Sequence, residues 1–287
     1  MKKAACIYDL GFNLESGVGA LRLYLPANIG YINFNIAHSI KEDRFCDTWR
    51  LSKAFAADDD FKNEVELTST AEWDMALKIK NRDDFIGGYM HGDEKFTGIR
   101  LLVDGQEREI TTLSELTRFD NIRLQVESEG YDPADHKTIV LKHFKEYIID
   151  ANGVSIKQRV EWLSDCELNA CYMAMMPPLK DLTDFYYTDV DPTPKAITGD
   201  LTVNNCASAT LFKINGLEYT MSVPRYPKYD TGNKFLITDN GGNPYNKMYF
   251  VVCRGASVKC TEVWESQTEY IIKNNVSIKT SGNRVYF

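Results

Sequence analysis

The feature that most constrains this chain is a two-residue alternation of apolar and polar side chains, which recurs along most of its length. It is clear in residues 73–80 (WDMALKIK) and 122–127 (IRLQVE). Successive side chains of a strand point to opposite faces, so this period predicts half-buried β-strands. The side chains expected to face the core in the first segment are Trp73, Met75, Leu77 and Ile79.

The same pattern predicts strands in both halves of the chain, and helix signals are few. Further strand candidates are residues 20–25, 31–37, 64–69, 98–103, 138–150, 154–164, 168–176, 209–214, 217–223, 248–253, 258–264 and 268–273. Asp104-Gly105, Asn152-Gly153 and Asn215-Gly216 separate strand candidates with dipeptides typical of tight hairpin turns. The sequence therefore predicts an all-β fold: a large antiparallel β-sandwich, supersandwich or jelly-roll-like, with few short helices.

The chain is expected to form a single domain over residues 1–287, because large β-sandwiches routinely reach roughly 200–250 residues as one unit. No repeat and no long linker divides it. Residues 39–57 (SIKEDRFCDTWRLSKAFAA) are the strongest helix candidate and are predicted to be a helical insertion.

Composition excludes several classes of partner. A net charge of −8 and a pI near 5.2 argue against binding to nucleic acid or to an anionic membrane, both of which attract basic surfaces. The chain as given shows no signal peptide and no apolar run long enough to span a membrane.

The seven cysteines contain no CxxC pair, which favours reduced, mostly buried thiols. No cofactor is expected, and the four histidines are too dispersed to specify a metal site.

One segment resembles a known structural family. Residues 152–178 (NGVSIKQRVEWLSDCELNACYMAMMPP) are similar to the paired long strands of the galactose-mutarotase-like β-supersandwich, which aldose epimerases share with domains of polysaccharide lyases and glycoside hydrolases. The resemblance is one of strand rhythm and extends loosely over residues 60–287. Residues 24–35 (YLPANIGYINFN) depart from the family's early Asn/Arg sugar-binding motif, since they offer asparagine without arginine. The resemblance implies the fold more strongly than the activity.

Residues 138–150 and 154–164 are expected to form a long hairpin with a polar, concave sheet face suited to sugars. Sugar hydroxyls take bidentate polar partners, and sugar C–H faces take aromatic rings. By alternation, His143 shares a strand face with Tyr147. The polar face is predicted to carry His143, Tyr147, Arg159 and Glu161.

Residues 83–96 (DDFIGGYMHGDEKF) form the densest cluster of titratable side chains. If the strand runs to His91, then Phe85, Tyr89 and His91 lie on one face, and Glu94 and Lys95 follow directly. Such a group would supply an acid, a base and a charge stabiliser. The alternative is a strand end followed by a Gly-Asp turn, with His91 bonded to the backbone.

The leading functional hypothesis is a carbohydrate-active protein, and whether it is an enzyme is left open. Its predicted catalytic residues are His91, Tyr89, Glu94 and His143, and its predicted substrate-binding residues are Lys95, Tyr147, Arg159, Glu161 and Trp264.

In an epimerase-like reaction, Glu94 or Glu161 would remove the anomeric hydroxyl proton while His91 protonates the ring oxygen. In lyase β-elimination, the uronate would be neutralised by Arg159 or Lys95, the C5 proton removed by His91 or His143, and the leaving oxygen protonated by Tyr89 or Tyr147. Trp264 would be either a stacking platform or a core residue.

The second hypothesis is a non-catalytic structural or glycan-binding component, such as a bacteriophage virion or tail-associated protein. A β-rich chain with many tyrosines suits it as well. A homo-oligomer is compatible with both hypotheses, although a stable trimer or larger ring would favour the assembly component.

Overall fold

The computed structural model describes residues 2–11, 17–28, 30–70, 73, 75–227, 232–239, 241–260, 263–274, 279–281 and 284–286. The described strands are β1 (Ala4–Asp9), β2 (Gly17–Pro26), β3 (Tyr31–Lys41), β4 (Cys46–Ala57), β5 (Glu64–Glu66), β6 (Ala76–Ile79), β7 (Glu94–Val103), β8 (Gln106–Arg108), β9 (Thr117–Phe119), β10 (Ile122–Tyr131), β11 (Ile139–Asp150), β12 (Gly153–Trp162), β13 (Cys166–Met176), β14 (Phe185–Thr188), β15 (Lys195–Ala196), β16 (Leu201–Val203), β17 (Ser208–Phe212), β18 (Leu217–Arg225), β19 (Lys234–Thr238), β20 (Lys247–Cys260), β21 (Trp264–Asn274), β22 (Lys279–Ser281) and β23 (Arg284–Tyr286). Helical structure is limited there to α1 (Gly88–His91) and three 3₁₀ turns at Glu42–Arg44, Ile110–Thr112 and Lys180–Leu182. None of these described helices is long and apolar enough to cross a membrane.

Two main sheets form the described part of the fold, which confirms the predicted all-β sandwich. The larger sheet has 16 strands in the order β15-β14-β17-β18-β21-β12-β11-β10-β7-β4-β3-β2-β1-β9, with β5 and β8 beside β4 and β7. The smaller sheet has five strands in the order β16-β19-β20-β13-β6. One cluster of buried side chains draws on both, so the two sheets pack against each other.

The core prediction for residues 73–79 is confirmed. Trp73, Met75, Leu77 and Ile79 all belong to the main hydrophobic cluster and are no more than 8% exposed. The predicted turns also form. At Asp104-Gly105, both residues take positive φ angles of 50° and 79°, which allows a two-residue connection between β7 and β8.

The helix predicted over residues 39–57 is wrong. This stretch contains the end of β3, the 3₁₀ turn at Glu42–Arg44 and the whole of β4. Strand β4 pairs along its length with β3, and its first residues also pair in parallel with β7. Nearly every residue of β4 is buried on both faces, so the strand lacks the alternation that would have revealed it.

The strand predicted to run to His91 is also wrong. Gly87 and Gly88 have φ angles of 109° and 71°, so the chain turns there and residues 88–91 form the short helix α1. As a result, Tyr89 points inward and is 5% exposed, whereas the His91 side chain is 28% exposed. The two side chains do not share a face.

The predicted polar face of the β11–β12 hairpin divides between the two sides of the sheet. His143 lies opposite Val160, and Tyr147 opposite Ile156; these side chains face the interior. Arg159 lies opposite Phe144 and therefore projects to the other side, as does Glu161, which is two residues away on the same strand. A single concave face carrying all four is thus excluded by the register.

Candidate functional site

A polar cleft of about 350 Å³ opens on the surface beside helix α1. Three segments of the chain meet there: the 3₁₀ turn before β4, residues 81–93, and the loop between β10 and β11. The ionisable side chains that line the cleft are Asp43, Arg44, Arg82, Asp83, Asp84, His91, Asp93 and His136. The segment predicted as a site therefore contributes directly to this surface cleft.

His91 is held at one side of this cleft by a carboxylate. Its Nδ1 lies 3.3 Å from Oδ1 of Asp84, and its ring lies 4.6 Å from the ring of Phe85. Burial opposes the charge of Asp84, but the Phe85 backbone N–H, His91 and Arg44 stabilise it and hold the pKa of this carboxyl below its ordinary value. Because Nδ1 faces Asp84, Nε2 points away from the carboxylate.

His136 is held in the same manner. Its Nδ1 lies 2.5 Å from Oδ1 of Asp93, and its ring is 5.8 Å from Phe45. The Asp93 side chain is almost fully enclosed, and burial raises the pKa of its carboxyl although His136 acts in the opposite direction. The cleft thus contains two imidazoles, each with a carboxylate at Nδ1.

The β10–β11 loop that carries His136 is tied to the α1 side of the cleft. Arg82 donates two hydrogen bonds to Asp132, at 2.6 and 2.7 Å, and this bidentate pair lowers the pKa of the Asp132 carboxyl. The backbone adds a second link, because Tyr131 N–H donates to the carbonyl of Asp93 at 2.8 Å. These contacts bring two distant segments of the sequence to one site.

Glu94 and His143, two predicted catalytic residues, do come together, but inside the protein. His143 Nδ1 lies 3.1 Å from Oε1 of Glu94, and Lys145 Nζ lies 3.2 Å from the same oxygen. Ser128 also donates to Oε1, at 2.6 Å. All three charged or titratable side chains are at most 4% exposed. This buried network of Glu94, His143 and Lys145 is therefore closed to solvent.

The buried network continues from His143 through Gln158 to the backbone of β13. His143 Nε2 lies 3.1 Å from Oε1 of Gln158, whose Nε2 donates to the carbonyl of Met173. Both ring nitrogens therefore face oxygen atoms. The network surrounds one buried carboxylate with an ammonium, an imidazole and a serine hydroxyl.

The space beside this network is too small for a sugar. Its cavity measures about 10 Å³ and is bounded by Glu94, His143 and Lys145 together with Trp73 and Met75. That volume corresponds to about one water molecule. Tyr147, a predicted binding residue, also lines this cavity, and its hydroxyl donates to the carbonyl of Trp49 at 3.2 Å.

The buried network is joined to the surface cleft through the backbone. Gly88 N–H, at the start of helix α1, donates to Oε2 of Glu94 at 3.2 Å. The helix ends at His91, and Asp93 directly precedes Glu94. Glu94 therefore anchors the turn that carries one cleft histidine and the carboxylate partner of the other.

The network predicts a loss of stability in acid that depends on Glu94. Although burial opposes its charge, Lys145, His143 and Ser128 hold the pKa of Glu94 well below the ordinary 4.5. A depressed folded-state pKa contributes stability above the unfolded value, and this contribution is lost as pH falls below about 4.5 towards the folded value. In urea titrations between pH 7 and pH 3, the wild type should lose more unfolding free energy than Glu94→Gln. Equal losses in the two proteins would contradict this role of Glu94.

Tyr89 and Trp264, two further predicted site residues, are also enclosed. The guanidinium carbon of Arg50 lies over the ring of Tyr89, 4.8 Å from the ring centre. Trp264 is 2% exposed and packs edge-to-face against Trp162 at 5.5 Å, so the structure places it in the core.

Lys95, Arg159 and Glu161 lie together on the outer face of the larger sheet. Cross-strand pairing forms a row of alternating charge, Lys95–Glu129–Lys142–Glu161. Arg159 lies in the adjacent row beside Phe144 and bonds to Glu161 at 3.1 Å. A groove of about 330 Å³ runs over this surface and is lined by Phe144, Arg159 and Glu161, among others. These predicted binding residues thus lie on the opposite side of the sheet from the buried His143 side chain.

Sequence reasoning missed half of the cleft. His136 was not among the predicted site residues, and neither were Arg44, Arg82, Asp84 and Asp93. The loop YDPADHK did contain a signal of a contact with another segment, since Asp132 and His136 are both polar residues capable of binding one.

Within the described residues, no group of three or more His, Cys, Asp or Glu side chains is arranged to hold a metal ion.

Comparison with known proteins gives structural similarity at low identity. No known protein family matches the chain, and no curated sequence does. A galactose 1-epimerase from Lactobacillus acidophilus NCFM is 11% identical, with a TM-score of 0.45 over 95% of this chain and 99% of that one. An α-galactosidase of glycoside hydrolase family 36 from Geobacillus stearothermophilus is 10% identical, with a TM-score of 0.45 over 87% of this chain. The chain spans 39% of the length of that galactosidase. An epimerase is therefore among the structures to which this chain is similar.

Proposed function

We propose that the protein binds a neutral saccharide in the cleft between His91 and His136 and that these two imidazoles transfer protons at the bound sugar. The observation that carries the proposal is the pairing of each imidazole with a carboxylate at Nδ1 inside one cleft. A carboxylate at Nδ1 fixes the tautomer and orientation of an imidazole and stabilises its protonated form.

The chemistry of the lining favours a polyhydroxylated ligand. Carboxylates accept hydrogen bonds from hydroxyl groups, and guanidinium groups donate to them, so such a cleft can hold several hydroxyls at once. Phe85 packs against His91 and Phe45 against His136, so each cleft imidazole is supported by an aromatic ring. A volume of about 350 Å³ suits a small ligand.

The charge of the cleft favours a neutral sugar over a uronate. Four aspartates and two arginines line it. Arg44 is bonded to Asp84 and Arg82 to Asp132, so both cations are already paired. An anionic substrate would therefore meet net negative charge, which supports the epimerase-like chemistry more than lyase β-elimination.

Anomeric epimerisation requires a proton acceptor and a proton donor at one sugar, which two imidazoles can supply. One would accept the proton of the anomeric hydroxyl as the bond between the anomeric carbon and the ring oxygen breaks, while the other donates a proton to that oxygen. Reversal of the two transfers after rotation closes the ring as the other anomer. We assign these roles to His91 and His136, and we assign to Glu94 and His143 the support of the turn that bears His91 and Asp93, the carboxylate partner of His136.

The outer-face groove is proposed as a contact surface for longer saccharides. Arg159 and Glu161 are paired with each other and exposed beside Phe144, so a donor, an acceptor and an aromatic ring are available together. Lys95 lies over the ring of Phe45 at 3.6 Å, so it is positioned between this groove and the His136 side of the cleft.

Replacing the cleft histidines tests the proposal. His91→Gln and His136→Gln keep a hydrogen-bonding side chain but cannot transfer protons as an imidazole does. We expect each change to slow anomer interconversion of a bound neutral sugar by about 100-fold, the ordinary size of a general acid–base contribution. Exchange NMR on a panel of neutral mono- and oligosaccharides measures this rate, and ligand-observed NMR on the same samples measures binding.

Arg159→Gln, on the other surface, is the matched control and should leave the rate for monosaccharides unchanged. Binding without interconversion would retain the saccharide site and reject the catalytic roles. Absence of binding to any saccharide in the panel would reject the proposed function itself.

A further inference from the structure

Two pairs of cysteines face each other across strands β13 and β20. Cys166 lies directly opposite Cys260, and Cys171 directly opposite Cys253. All seven cysteines lie in the described part of the chain and are unbonded. The sequence gives no sign of this arrangement, because the members of each pair are far apart along the chain.

The register places each pair within reach of a disulfide. Directly opposed residues of antiparallel strands have Cα atoms about 4.5 to 5.5 Å apart. A disulfide requires about 4.4 to 6.8 Å. The side chains of Cys166 and Cys260 also lie close enough for Cys260 to lower the pKa of the Cys166 thiol. A bond between these sulfur atoms therefore needs little movement of the backbone.

The two cysteine pairs differ in their exposure to solvent. Cys166 is the one partly exposed cysteine of the seven, whereas Cys171 is fully buried and Cys253 is buried beside it. The adjacent Cys260 side chain lowers the pKa of the Cys166 thiol, while Cys166 and burial raise the pKa of Cys260. The Cys260 thiol itself donates to the carbonyl of Val258 at 3.6 Å. Cys166 is thus the thiolate that meets an external reagent first, and Cys260 is the adjacent thiol that follows.

We propose that Cys166 and Cys260 form a reversible disulfide between β13 and β20 when the protein meets a low-molecular-weight disulfide. The Cys166 thiolate attacks one sulfur of the reagent and releases the first small thiol, which leaves a mixed disulfide on Cys166. Cys260 then loses its proton and attacks the Cys166 sulfur, which releases the second small thiol. The two cysteines lose two electrons and two protons, and the reagent is reduced to two thiols.

The crosslink would join two neighbouring strands of the smaller sheet covalently. Strands β13 and β20 are neighbours in it, and the chain between them, from β14 to β19, contributes strands to both main sheets. Closing so long a loop restricts the unfolded chain strongly, so the oxidised protein should unfold at a higher temperature than the reduced protein.

Incubation with oxidised glutathione tests the proposal. The intact protein should lose the mass of two hydrogen atoms, and non-reducing digestion should yield one crosslinked peptide pair containing Cys166 and Cys260. Dithiothreitol should restore the original mass, and the melting temperature should rise on oxidation and return on reduction.

The second pair provides the matched control. A Cys171→Ser/Cys253→Ser variant should form the crosslink as the wild type does, whereas Cys260→Ser should retain a glutathione adduct on Cys166. A persistent adduct on wild-type Cys166 with no crosslink would overturn the proposal. So would a crosslink between Cys171 and Cys253, or no reaction at all.

Discussion

Glu94→Gln is expected to lower the free energy of unfolding by roughly 3 to 5 kcal/mol, the usual cost of removing one partner from a buried ion pair. The substitution preserves the size of the side chain but removes the carboxylate charge that lies 3.2 Å from the buried ammonium of Lys145. Two neutral acceptors of Lys145, Thr48 Oγ1 and the carbonyl of Trp49, each lie at 3.1 Å. Urea unfolding monitored by tryptophan fluorescence measures the change.

A double variant separates the cost of removing one charge of the Glu94–Lys145 pair from the other effects of each substitution. Lys145→Met alone leaves Glu94 with His143 and should also destabilise, but Glu94→Gln/Lys145→Met removes both charges and should recover much of the loss. If the losses of the two single variants simply add in the double variant, the two residues do not stabilise each other as a pair.

Gly92→Ala is expected to destabilise by roughly 2 to 5 kcal/mol, which combines backbone strain with a steric clash. Gly92 has φ 87° and ψ −146°, a conformation that residues with a Cβ rarely adopt. An added Cβ would also lie 1.8 Å from the carbonyl oxygen of Arg44. That oxygen accepts a hydrogen bond from Asp93 N–H at 2.9 Å, so relieving the clash displaces both sides of the polar cleft. Saccharide affinity should fall together with stability.

Gly105→Ala is the matched control for this prediction. Gly105 also has a positive φ of 79°, but nothing lies within 4 Å of the Cβ that would be added. Its replacement should therefore cost only the left-handed backbone penalty of about 1 to 2 kcal/mol and should not alter ligand binding. Thermal and urea unfolding of both variants gives the comparison, and equal losses would show that the Arg44 contact is unimportant.

Local patterns were sufficient to predict most strands of this fold. The alternation in residues 73–79 and 122–127 depends only on the direction of successive side chains, and the Asp104-Gly105 turn depends only on backbone preferences. Both could be predicted because neither needs knowledge of distant residues. Strand β4 could not, since tertiary packing buries both of its faces and removes the alternation.

The density of titratable residues in 83–96 directed attention to a segment that does line the polar cleft, but not to its partners. Alternation correctly placed His143 and Tyr147 on one face of β11. It could not show that Trp73 and Met75 close that face, because their approach depends on how the two sheets pack.

What the sequence determined by itself was therefore the strand content, the hairpin turns and the choice of the His91 segment, all of which follow from short-range geometry. Tertiary structure alone decided that Glu94 and His143 are enclosed and that His136 reaches the cleft through the Arg82–Asp132 pair. It also decided that Cys166 faces Cys260. Each of these depends on strand register and sheet packing, which bring together residues whose separation along the chain carries no information about their distance in space.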